Sequence, residues 1–314
     1  MHPVRILGDL EVKRDMVEVA PIVLRSHSLE VTVRKPGTNY NGSRFDWTGW
    51  VSSITLHNRH TFCADESLTP GEGTGGSGLC NEFGIFQPIG YEEALPGGQF
   101  PKLGVGLLTR PDEASYKFSR PYMVEPFFIE TKADDSKVTF TVHAHPCNGY
   151  AAKLVKTLSV KDNLLSIAYE LVNLGEKTIV THEYCHNFVA LNGNPLGPDY
   201  RLKLPMTPTF PSEPSSLFDF KDGYMTWAYT PEQPFYSRLS GPFPPGLQWE
   251  LTHKSGVGMR ESVDFSPAFI ALWGDAHVIS PEVFMEIAAH SGQMIRWVRQ
   301  FDFFERHMDG GTGG

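Results

Sequence analysis

The sequence predicts an all-β protein, a large β-sandwich with few or no helices. Three observations point there. Segments that alternate apolar and polar residues recur along the chain. Turn-forming residues separate them every 8–15 positions or so. Glycine (30 residues) and proline (24) are abundant in a chain of 314 and are spread along it, which suits many strands joined by turns better than long helices.

The elements follow in order. SLEVTVRKPG (28–37) alternates and stops at Pro36-Gly37. VSSITLHNRHTF (51–62) alternates again. TPGEGTGGSGLCNEFG (69–84) is too glycine-rich for a regular element and reads as a rim or lid loop. KVTFTVHAHP (137–146) and KLVKTLSVKDNLLSIAYELVNLG (153–175) begin a meander, with a hairpin turn at Asp162-Asn163. IVTHEYCHNFVALNG (179–193) continues it. GLQWELTHKSGVGMRESV (246–263), SPAFIALWGD (266–275) and EVFMEIAAHSGQMIRWVRQFDFF (282–304) close it, the last turning at Ser291-Gly292. No composition shift divides the chain. The expectation is one domain over 1–307 and a flexible tail, DGGTGG, within 308–314.

Composition excludes several functions. The formal net charge is −9 and there is no basic stripe, so nucleic acid is not an expected partner. No run of 18 apolar residues exists, so no membrane span is expected. MHPVRILGDLEVKRDMVEV lacks the apolar centre of a signal peptide, and the expected location is the cytoplasm. Cys63, Cys80, Cys147 and Cys185 form no CxxC pair and are expected as free thiols, with a Cys63–Cys80 disulfide across the glycine-rich loop as the alternative.

Four stretches carry chemistry. In THEYCHNFVALNG (181–193), a strand would turn His182, Tyr184 and His186 to one face and Glu183, Cys185 and Asn187 to the other. Two histidines on one face could reach a metal, but no third ligand is evident nearby. A zinc-helix motif is not expected here. Cys185 and His186 are adjacent and point apart, which argues against a Cys–His nucleophile. An acid–base role remains, beside the plain reading of a half-buried strand with a wet face. In VFMEIAA (283–289), partial burial of Glu286 would raise its pKa toward neutrality, where a general base works best. Glu282, at a Pro-Glu strand start, reads as structural. In NYNGSRFDWTGWVSSI (39–54), Arg44, Asp46, Trp47 and Trp50 suit a sugar, with rings stacking on tryptophan and charged groups on hydroxyls. In FPKLGVGLLTRPD (100–112), Lys102 sits before a Gly-Val-Gly bend.

RFDWTGWVSSI, KLGVGLL, HEYCHNFVALNG, LWGDAHVISPEVFMEI and SGQMIRWVRQFDF, in that order, resemble the aldose 1-epimerase (galactose mutarotase-like) superfamily. The likeness spans roughly residues 25–304 and is closest to divergent aldose-epimerase-like members. It implies a β-supersandwich and a carbohydrate-active isomerase that opens and recloses a sugar ring, with a histidine as general acid and a glutamate as general base. His182-Glu183-Tyr184 resembles the family's His-x-Tyr pattern, and Phe284-Met285-Glu286-Ile287 its glutamate setting. His186 offers a second register. The resemblance therefore implies Glu286 as base and either His186 or His182 as acid; the reading taken is His186 as acid, with His182 as a sugar ligand or a partner of the acid. Arg44 would orient the substrate, with Asp46, Trp47, Lys102, Tyr184, Asn187 and Trp273 as further sugar contacts. The family's second histidine is missing, and Lys102 stands near its place. That departure leaves two alternatives: epimerisation or β-elimination on an acidic or oxidised sugar, and a non-catalytic carbohydrate-binding module. The expected partner is a small-molecule carbohydrate, with no metal or cofactor needed.

Overall fold

A computed structural model describes residues 19–205, 215–239 and 243–306. The expected tail at 308–314 and the N-terminal stretch 1–18 lie outside these residues.

Among the described residues, two large antiparallel sheets carry the fold. The front sheet runs, in spatial order, Ile22–Arg25, Leu29–Val33, Val51–Leu56, Leu79–Phe83, Ile179–Asn187, Val278–Ala289, Phe269–Asp275 and Phe235–Leu239. The back sheet holds ten strands, with Val257–Val263, Met294–Glu305, Leu164–Asn173 and Ala152–Lys161 at its middle. A small third sheet (Gln99–Lys102, Gly106–Thr109, Val124–Pro126) flanks them. Helix is confined to short 3₁₀ turns at Leu191–Gly193 and Ser215–Leu217.

Alternation builds the core. Leu164–Asn173 buries every second residue, and its hairpin partner Ala152–Lys161 does nearly the same. The turn between them has Asp162 in the left-handed region at φ 50°, as a tight hairpin requires. The two sheets meet face to face, with Phe83 of the front sheet packed on Trp297 of the back sheet at 6.3 Å between ring centroids.

One expectation fails. The glycine-rich stretch 69–84 is not all loop, because Leu79–Phe83 is a strand with all five residues buried, paired to Ile179–Asn187. Its apolar ends and its central place in the sheet outweigh the flexibility of the glycines before it.

Two strands depart from alternation at their ends nearest each other. In Val278–Ala289 the first eight residues are all buried, and only then do Glu286 and Ala288 emerge. In Ile179–Asn187 the last five residues are all buried. Here the outer face of the sheet is roofed by other segments, and the roof encloses a cavity.

Candidate active site

The register of these two strands decides which side chains meet. Antiparallel partners His182↔Glu286 and Glu183↔Met285 set it, and the bridge Val189↔Ile279 continues the same register further along. Tyr184 therefore faces Phe284, and His186 faces Glu282. The side chains agree. Tyr184 and Phe284 stack with centroids 4.3 Å apart, and His186 Nε2 lies 3.1 Å from Glu282 Oε1.

The His186–Glu282 pair is nearly dry, both side chains being about 5% exposed or less. Burial pushes the Glu282 carboxyl up to about 8, against the opposing pull of Arg44 and of the Ser280 hydroxyl, while the Glu82 charge adds to the rise. Burial also holds the His186 imidazole well below its ordinary value, and the Arg44 charge lowers it further. At neutral pH the pair is thus a carboxylic acid beside a neutral imidazole. Ser280 Oγ also donates to Glu282 Oε1, at 3.3 Å. His186 Nδ1 is buried with no hydrogen-bond partner among the described residues. The ring is held flat against Phe188 at 3.9 Å, with Trp273 edge-on at 5.3 Å.

A cavity of about 420 Å³ opens over this pair, within the range of small-ligand sites. Its walls include Arg44, Phe118, Tyr236, Trp273 and Phe284. A line of stacked groups crosses the sheet beside the pair. Arg238 lies over Phe269 at 3.8 Å, Phe269 stacks on Phe284 at 4.1 Å, and Phe284 stacks on Tyr184. Tyr184 then donates to Glu82 Oε2 at 2.8 Å.

Glu82 anchors the cationic side of the cavity. It is fully buried and accepts from Arg44 Nε at 3.0 Å, from Lys102 Nζ at 3.1 Å and from Tyr184. Arg44 is sandwiched between Phe45 and Phe118, each 4.4 Å from the guanidinium carbon. Sequence reasoning missed Glu82 because it lies in the stretch read as loop. The apolar residues around it in GLCNEF were the available signal.

The structure sorts the residues singled out from the sequence. Arg44, Tyr184, His186 and Trp273 line the main cavity. His182 lines a neighbouring one. Glu286 lies elsewhere: it is exposed and lines neither cavity, so the partial burial expected of it is not found. His186 and Glu286 are four residues out of register, about 13 Å along the strand. Glu282, read from the sequence as structural, takes the place beside His186.

Four other expected sugar contacts point away from the cavity. Lys102 is 1% exposed and bonds Glu82 and the Tyr116 hydroxyl. Trp47 packs in a satellite core with Tyr91 and Phe100, its indole N–H donating to the Gly42 carbonyl. Asp46 is buried against Lys156 at 3.3 Å and also accepts from Thr48. Gly104 crosses over it so closely that a Cβ there would sit 2.2 Å from Asp46 Oδ1, which accounts for the glycine after Lys102-Leu103. Asn187 turns into the space between the sheets and donates to Glu261 Oε2 at 3.3 Å and the Pro281 carbonyl at 2.6 Å. Strand parity explains it, since Asn187 shares the inner face with Glu183 and Cys185.

That inner face holds a chain of buried charges. Lys156 bonds Asn81 Oδ1 at 2.8 Å, and Asn81 donates to Glu183 Oε1 at 2.8 Å. Arg299 bridges Glu183 (2.7 Å) and Glu261 (2.8 Å), and Trp297 and Trp249 donate to the same two carboxylates. The side chains of Lys156, Asp46, Glu183, Arg299 and Glu261 are all essentially dry.

The letters His182-Glu183-Tyr184-Cys185-His186 do spell the His-Glu-x-x-His spacing of zinc helices, contrary to the expectation above. On a helix that spacing stacks two imidazoles. Here it lies on a strand, the histidines are about 13 Å apart along it, and Glu183 is turned to Arg299. Among the described residues no three His, Cys, Asp or Glu side chains cluster as a metal site would need. All four cysteines are free. No helix among the described residues is long and apolar enough to cross a membrane.

No family model matches this chain, and no curated protein does. Solved structures do. A protein of Synechocystis sp. PCC 6803 superposes with a TM-score of 0.60 at 13% identity, over 98% of this chain and 100% of that one. A candidate aldose 1-epimerase from Escherichia coli K12 gives 0.58 at 11% identity, over 91% and 99%. A galactose mutarotase-like protein from Lactobacillus casei ATCC 334 gives 0.56 at 15% identity, over 91% and 100%. The likeness is one of fold. The chain has the galactose mutarotase-like β-sandwich that its sequence motifs resemble.

Proposed function

We infer that the protein is a carbohydrate-active isomerase of the aldose 1-epimerase kind, interconverting the anomers of a sugar in the cavity over His186 and Glu282. The observation that carries this reading is the buried His186–Glu282 pair, 3.1 Å apart at the floor of a cavity walled by aromatic rings and Arg44.

Ring opening requires a proton to reach the ring oxygen while another leaves the anomeric hydroxyl. Both oxygens are bonded to C1, so a donor and an acceptor set side by side suit them. Glu282 is protonated at neutral pH and is the donor; His186 is neutral and is the acceptor. This reverses the roles expected from the sequence, and it moves the glutamate from Glu286 to Glu282. Glu282 gives its proton to the ring oxygen as the C1–O bond breaks, and His186 takes the hydroxyl proton. The aldehyde rotates about C1–C2. Reclosure on the other face returns both protons. Between the two transfers the pair is a carboxylate beside an imidazolium, and each stabilises the other. Such acid–base help is worth about 10²- to 10⁴-fold per group. Nothing in this chemistry calls for a cofactor.

Trp273 and Phe118 offer apolar faces to the CH surface of a ring, and Arg44 and Tyr236 offer donors to its hydroxyls. An acidic substrate loses its main support, because Lys102 faces Glu82 and not the cavity. The test is anomer exchange by NMR over a panel of aldoses, uronic acids and sugar phosphates, with wild type beside Glu282→Gln. Faster exchange of one sugar, lost in the variant, is expected. Exchange that survives Glu282→Gln, or saccharide binding with no exchange of any sugar, overturns the reading; the second outcome favours a binding module.

A further inference from the structure

A second cavity, of about 380 Å³, adjoins the first along the strand Ile179–Asn187. Its lining includes Phe86, Gln87, Glu92, Tyr150, Thr181 and His182. Phe86 belongs to both cavities. It is 53% exposed and rests on the aromatic line, with its centroid 6.0 Å from both Phe269 and Phe284 and 5.8 Å from the His182 ring. A large apolar side chain so exposed, shared by two adjoining hollows, is the kind of surface that marks a binding groove.

We propose that the cavity beside His182 is a second saccharide subsite, so that the ligand has at least two rings, the reducing one over His186 and Glu282 and the next beyond Phe86. This rests on the reading of the first cavity as a sugar site. Three features carry it. The two hollows are similar in size and meet at the exposed Phe86 ring, over which a ligand long enough for two rings would pass. The polar groups of the second cavity suit hydroxyls: the His182 ring and the Gln87 amide have no hydrogen-bond partner among the described residues, while Phe86 and Tyr150 supply ring faces. Its carboxylates, Glu92 and Glu93, are each paired with a cation, Arg110 with Glu92 at 3.7 Å and Lys177 with Glu93. With its carboxylates already paired, such a surface suits a neutral polyol.

The test compares each monosaccharide with a disaccharide that carries it at the reducing end: glucose with maltose and cellobiose, xylose with xylobiose, mannose with mannobiose and galactose with galactobiose. Anomer exchange is followed in wild type, in Val180→Trp, which fills the second cavity from an exposed position (58%), and in Gln87→Ala. The expected result is a kcat/KM about tenfold higher for one disaccharide than for its own monosaccharide, with the ratio cut severalfold by each variant. Equal or lower values for every disaccharide, or a ratio untouched by both variants, overturn the proposal. If no sugar exchanges at all, the isomerase reading has failed. The subsite is then judged by amide shifts on titrating the same disaccharides. Shifts around Thr181–His182 together with Tyr184–His186 support it; shifts at the first cavity alone, or none, overturn it.

Discussion

His186 faces Glu282 across two antiparallel strands, and four residues along the same strands His182 faces Glu286 in the same way. One register thus makes two histidine–glutamate pairs on one sheet face, separated by the stacked Tyr184–Phe284 pair. The first is enclosed and the second is open, and the proposed mechanism uses only the first.

Glu282→Gln and Glu286→Gln should therefore part company. The first is expected to slow anomer exchange about 10²- to 10⁴-fold, the usual scale for losing one acid–base group. The second is expected to change the rate by less than about threefold, as an exposed side chain outside the cavity should. Steady-state rates on the best sugar of the panel decide it. Equal losses would return Glu286 to the mechanism.

The pH profile should fall on its alkaline side. Glu282 must hold a proton to act as donor, and burial places that titration at about 8. His186 stays neutral until well below the ordinary imidazole range. The expected profile of kcat/KM is level through neutrality and declines as pH rises through about 8. A decline with rising pH already near 6.5 instead would mark a charged histidine as the acid, as the sequence suggested.

Stability should follow the same group. Its folded pKa lies above that of a carboxyl in the unfolded chain, so the folded state binds more protons between the two values. That contribution to stability is present in full below the unfolded value and is lost as pH rises through about 8. Glu282→Gln removes the dependence. Its melting temperature relative to wild type is expected to climb from pH 5 to pH 9. A difference that stays constant across this range would show that Glu282 titrates normally.

Lys156→Met tests the charges between the sheets. It leaves Asp46 buried without its cation and takes a donor from Asn81. Breaking a buried pair in this way costs about 3–5 kcal/mol, so urea unfolding should shift to a markedly lower midpoint. Lys156→Met with Asp46→Asn should recover part of the loss. A single variant as stable as wild type would count against the network as a stabilising unit.

Much of this was legible in the sequence, and most of the failures trace to contacts between distant elements. Alternation and turn residues located most strands, and parity alone put His182, Tyr184 and His186 on one face. Parity could not choose between Glu282 and Glu286, which share a face too. The choice needed the register against a strand about a hundred residues away, and no local pattern encodes it. Lys102, Asp46 and Asn187 failed for a related reason. A polar residue can be buried when its partners are, and their partners (Glu82, Lys156 and Glu261) come from other elements of the fold. Glu82 was hidden by the glycines before its strand.

The ionic chain from Lys156 through Glu183 to Asn187 also bears on how such a protein can change. Each member answers to two or more others, so almost any single replacement strands a neighbour in a dry space. Variation there must come in matched sets, while exposed walls of the cavity such as Tyr236 and Phe118 can vary one residue at a time. The two would thus evolve at different tempos, the rim of the cavity free to drift above a floor that is nearly frozen.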